Sequence, residues 1–120
     1  MTIKDLITKF YEVDSQIQNY HRNTFSFSEH TALGSFYEDF AELKDEFIEV
    51  YNGKYNRINT SFINTVMEYN EGASMAYLRA FQTTLINDAR IWIPKDTELN
   101  NILDEILALT DRTIFLLTLK

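Results

Sequence analysis

Apolar positions along this chain recur at helical spacing in four stretches, and none shows the sustained alternation of a half-buried strand. In the first, Ile3, Leu6, Ile7, Phe10, Tyr11, Ile17 and Tyr20 put an apolar face on residues 2–21. Thr2, with Asp5 three positions on, makes a capping-box-like start. The second stretch, residues 30–51, carries Leu33, Phe36, Phe40, Leu43, Phe47 and Val50, with Ser26 or Ser28 as its cap. Asn52-Gly53 is expected to end it, because both residues tolerate the left-handed conformation that follows a helix. The third is capped by Ser74 and runs to about residue 90, with Tyr77, Leu78, Phe81, Leu85 and Ile86 inward. The fourth, capped by Asp96 or Thr97, carries Leu99, Ile102, Leu103, Ile106, Leu107, Ile114 and Leu117. Between the second and third the pattern weakens. There Phe62, Ile63, Val66 and Met67 predict a short helix over residues 60–69, which Asn70-Glu71-Gly72 breaks.

Connection lengths then constrain topology. Short links join the first helix to the second and the third to the fourth, while a long segment separates the second from the third. Two hairpins and one long crossover predict an all-α, ferritin-like four-helix bundle in a single domain spanning residues 1–120. An up-down-up-down bundle needs no such crossover. In the apolar link Ile91-Trp92-Ile93, Trp92 is expected to cap the end of the core or to serve as an oligomer contact.

Composition sharpens this picture. One proline and three glycines are too few for the turns of an all-β fold. The absence of cysteine excludes disulfides and thiolate metal sites. The charged N-terminus leads straight into a periodic helix, so no signal peptide is expected, and no apolar run approaches a membrane span. A soluble, cytoplasmic protein is the expectation. The net charge of −7 disfavours a phosphate backbone as partner and attracts cations.

Two groups of residues carry the candidate chemistry. The only histidines, His21 and His30, bracket the link between the first two helices. On the second helix Glu38, Glu42, Asp45 and Glu49 recur at i, i+4, i+7 and i+11, a single stripe of like charge. Solvent screens such a stripe, or a cation offsets it. His30 and Asp45 stand 15 positions apart, about 22 Å along a straight helix. A common metal site therefore needs two copies of this helix, antiparallel about a two-fold axis, and symmetry makes two such sites. Neither histidine has a glutamate three residues before it, as a single-chain di-iron site requires. No strained nucleophile turn precedes any serine.

His21, His30, Asp45 and Glu49 resemble the ferroxidase ligands of the Dps family of mini-ferritins, in which two histidines flank the first hairpin. An aspartate and a glutamate one turn apart follow on the second helix. The stretches around Tyr20-His21, Ser28-Glu29-His30-Thr31-Ala32-Leu33-Gly34, Glu46-Phe47-Ile48-Glu49-Val50-Tyr51-Asn52-Gly53-Lys54-Tyr55 and Asp96-Thr97-Glu98-Leu99 are most similar to short phage-encoded ferritin-like proteins of unknown function. The resemblance implies iron as the bound metal, with zinc or manganese as substitutes, at sites shared across a two-fold dimer. That dimer is the minimal unit, and the family extends it to a dodecamer. Arg22 follows the first histidine where Dps proteins usually carry tryptophan, the link to His30 is shorter, and a basic DNA-binding tail is absent. Neither nucleic acid nor membrane is expected as a partner. The competing expectation is a metal-free helical oligomer that binds another protein, such as a host or defence factor.

Overall fold

The computed structural model describes residues 2–119 and is all-helical, with no strand among them; Met1 and Lys120, the first and last residues of the expected domain, lie outside the described residues. Its elements are α1 (Ile3–Asn23), α2 (Phe27–Lys54), α3 (Ala73–Asn87), the single turn α4 (Ala89–Trp92) and α5 (Thr97–Leu117). The body measures 43 × 28 × 22 Å. Its long dimension is that of α2, whose 28 residues rise about 42 Å at about 1.5 Å each.

Local chemistry sets the helix starts. The Asp5 carboxylate accepts from the Thr2 backbone N–H at 2.6 Å and from its hydroxyl at 3.2 Å. Ser26 Oγ accepts from the Glu29 N–H at 3.2 Å, so α2 begins three residues before its expected start. Asn52-Gly53 does not stop it. Both lie inside α2, and only Gly72 takes a positive φ, of 83°, among the described residues. Asn52 Oδ1 instead accepts the Ile58 N–H of the following segment. Ser74 is not a cap either; Gly72 holds that position and Ser74 is buried in the first turn of α3. The third expected helix divides at Asp88 into α3 and α4.

Four long helices close on one another: α1 packs on α2, α2 on α5, α5 on α3 and α3 on α1. A three-residue link, residues 24–26, makes α1 and α2 antiparallel. At the far end of α2, Lys54 and Tyr55 meet Asp96, which precedes α5. Tyr69 then meets Glu29 in the first turn of α2. The crossover therefore travels the length of the body before α3 begins. The core between the helices is aromatic. Phe10 of α1 meets Phe40 and Phe47 of α2 edge-on at 5.6 Å each, and Phe81 of α3 at 6.4 Å. All four rings are buried. Trp92 is half-buried and packs against the end of this core.

The expected short helix over residues 60–69 is absent; residues 56–70 form neither helix nor strand. Reach explains why. The crossover must descend from the level of Tyr55 to that of Glu29, about 39 Å along α2. Its 14 residue steps to Tyr69 cover at most about 50 Å when extended, but only about 31 Å with the last ten residues helical. The apolar spacing at Phe62, Ile63, Val66 and Met67 mimics a helix, but a helical path would meet Glu29 only with both side chains stretched along the axis, whereas an extended path spans the distance with slack.

Candidate functional site

The α1–α2 hairpin brings His21 and His30 together. Their rings stack at 3.9 Å between centroids with 14° between planes. Each ring is tied to the other residue's backbone. His21 Nδ1 lies 2.6 Å from the His30 carbonyl oxygen, and His30 Nδ1 lies 2.8 Å from that of His21. A carbonyl only accepts, so both Nδ1 atoms carry the proton and donate it. In the neutral ring the lone pair then sits on Nε2, which has no hydrogen-bond partner among the described residues. Backbone carbonyls hold metal-ligating imidazoles in this same way.

Glycine makes the approach feasible. A Cβ on Gly34 would sit 2.8 Å from His21 Cε1, closer than real contacts allow, so α2 meets the ring through bare backbone. Tyr37 closes the other side edge-on at 5.2 Å. The clasp limits the chemistry. Because the rings are nearly parallel, an ion in the plane of one lies out of the plane of the other. His21 and His30 can each offer one bond, but they do not chelate one ion together.

Asp45 and Glu49 are exposed on α2, as are Glu38 and Glu42, and no cation pairs with any of the four among the described residues. All lie on the same unbroken helix as His30, so Asp45 stays about 22 Å from it along the axis. No group of three or more histidine, aspartate or glutamate side chains gathers at one point among the described residues. One chain thus joins the histidines and keeps both carboxylates apart from them.

Other polar networks lie outside the expected set. At the hairpin end, Glu29 accepts from the Thr24 hydroxyl and the Tyr69 phenol, which ties the crossover to the turn. Burial, and then the Glu29 carboxylate, push the Tyr69 phenol up. At the opposite end Lys54 pairs with Glu98 and, at 3.1 Å, with Asp96. The hydrogen bond from Tyr55, followed by Lys54, holds Asp96 below its ordinary value. Inside the body, Lys44 reaches Asp14 at 3.3 Å and lies over the Tyr11 ring at 5.2 Å. Lys44 is buried although charged. Its spacing from Phe40 and Phe47, four and three residues away, was the available signal.

Comparison with known proteins adds a family but not an activity. The family described as "Family of unknown function (DUF5856)" matches residues 21–117, and the chain belongs to it. No curated protein and no solved structure matches the chain. The match begins at His21 and spans both histidines, Asp45 and Glu49.

Proposed function

We propose that this member of the family is a ferritin-like four-helix bundle whose two-fold dimer binds iron at sites shared between subunits. Iron is here the substrate: ferrous ion enters, oxygen or peroxide takes its electron, and ferric product is held or released. His21 and His30 contribute one Nε2 each, and Asp45 and Glu49 of the partner subunit contribute carboxylate oxygens. A two-fold axis crossing α2 between Tyr37 and Glu38 sets His30 level with the partner's Asp45. Mixed imidazole and carboxylate donors suit redox iron, and also accept zinc or manganese.

The observation that carries this reading is the fixed imidazole pair. Both Nδ1 atoms donate to backbone carbonyls, and neither Nε2 has a partner among the described residues. The unpaired carboxylates on α2 supply the complementary half. The direct test is an anaerobic Fe(II) titration followed by air. The expected result is a ferric absorbance that saturates at a fixed iron-to-chain ratio and disappears in His30→Ala and Asp45→Asn. Oxidation no faster than in buffer would end this reading.

A second reading, a metal-free oligomer that binds another protein, has one observation in its favour. Phe25, within the three-residue link, is fully exposed, and Phe27, the first residue of α2, is 81% exposed. Aromatic residues left in water at a turn are frequent anchors of protein interfaces.

A further inference from the structure

At the end of the body that holds the α1–α2 turn, the start of α3 and the end of α5 leave a groove of about 690 Å³. That is room for a few side chains. Its apolar wall is Phe25 of the link, Met75 of α3, and Leu117 and Leu119 at the end of α5. Phe25 is fully exposed and Leu119 is 50% exposed, so the chain itself does not cover them.

The polar wall carries one sign of charge. Glu29 of α2 and Glu71, just before α3, line the groove, and no lysine or arginine does so among the described residues. Glu29 is half-buried. Its Oε1 accepts from both the Thr24 and the Tyr69 hydroxyls, and its Oε2 has no partner among the described residues. Neither carboxylate has an ion pair there. Arg22, at the end of α1, donates to Gln18 of its own helix at 2.9 Å. Helix dipoles do not offset this charge, because the N-termini of α2 and α3 meet the C-termini of α1 and α5 at this end and cancel. A half-buried carboxylate without a cation is costly, and exposed apolar side chains beside it mark a contact surface.

These features select the occupant. A second copy seated on the groove about a two-fold axis would set Glu29 and Glu71 against the same two carboxylates, like charge against like. An anionic lipid surface is disfavoured for the same reason. A cation with apolar neighbours satisfies both walls. We propose that the groove receives a basic, apolar segment of another protein. Its lysine or arginine meets Glu29 and Glu71, and its aliphatic residues lie on Phe25, Met75 and Leu119. This inference rests on the protein-binding reading above and names the partner's chemistry; none of the four proposed metal ligands lines the groove.

The probe is a labelled synthetic helical peptide with one leucine face and one lysine face, and its control carries glutamate for every lysine. With chelator present, fluorescence anisotropy should show the lysine peptide bound and the glutamate peptide free. Added salt should weaken the binding. Glu71→Lys and Phe25→Ser, both at exposed positions, should each weaken it about tenfold. Light scattering should give Phe25→Ser the same mass as the parent. Equal binding of the two peptides, lost in Phe25→Ser, would overturn the basic partner and leave the protein-binding reading standing. Binding of neither peptide would overturn both. Lysine-peptide binding unmoved by either substitution would overturn the proposal, as would a lower mass for Phe25→Ser, which would put a second copy in the groove.

Discussion

The helical core and the crossover are held by opposite means. Between the helices, Phe10, Phe40, Phe47 and Phe81 are fully enclosed, and the polar atoms of the backbone are consumed within the helices. Along the crossover, residues 61–68 are exposed and a few side-chain hydrogen bonds do the holding. Stability therefore resides in the helices. The crossover contributes little to it.

Phe10→Ala attacks the stable side at its centre. It leaves a cavity among three rings and should lower unfolding free energy by about 3–5 kcal/mol in chemical denaturation. A loss below about 1 kcal/mol would mean that the helices do not depend on this cluster.

Gly34→Ala tests the clasp that joins α1 and α2 at the hairpin. On an open helix surface this change stabilises by about 1 kcal/mol through propensity. Here the new methyl meets His21 Cε1 at 2.8 Å, so the sign should reverse and the loss should be about 1–3 kcal/mol. A raised melting temperature would show that the stacked pair gives way without penalty.

Gln16→Ala sharpens the contrast from the other direction. It frees the Met67 N–H and leaves the Met67 carbonyl only the bond from Asn19, so global stability should fall by only about 1 kcal/mol. Protease cleavage within residues 59–66 should rise much more than that global change accounts for. Uniform sensitivity along the chain would contradict a crossover held at separate points.

The smallest effect is at the far end. Asp96 has its carboxyl held below the ordinary value, so its contribution is present above the usual carboxylate range and is lost as pH falls through the depressed value. Asp96→Asn should therefore be slightly less stable than the parent near neutrality, and the two should converge in strong acid. Convergence at neutral pH instead would remove Asp96 from the account.

The helices were legible because their periodicity is also their burial. Leu33, Phe36, Phe40 and Phe47 mark the inner side of α2 and are all buried. The pattern failed where a residue's type conceals its role. Gln16 and Lys44 occupy buried helix positions, yet they read as polar surface until their spacing from Val13, Ile17, Phe40 and Phe47 is weighed. Ile86 reads as core and is 56% exposed. Around residues 60–69 a local pattern lost to a global distance, which no window of sequence contains. The meeting of His21 and His30 followed from their flanking a short link, but the exchange of Nδ1 protons with each other's carbonyls did not. That exchange depends on Gly34 admitting the ring, a contact between helices that spacing does not encode.

Melting the protein with and without anaerobic Fe(II), beside Asp45→Asn, tests the shared-site reading most directly. A ligand that bridges folded subunits stabilises them by mass action, by about 2.7 kcal/mol at a hundredfold excess over its dissociation constant. The account predicts a clear rise in melting temperature with Fe(II) for the parent chain and none for Asp45→Asn. Without metal the variant should be as stable as the parent or slightly more so, because it relieves a like-charge contact with Glu49 one turn away. A parent chain whose melting is indifferent to Fe(II) would contradict the shared site and leave the carboxylates of α2 as a solvated face.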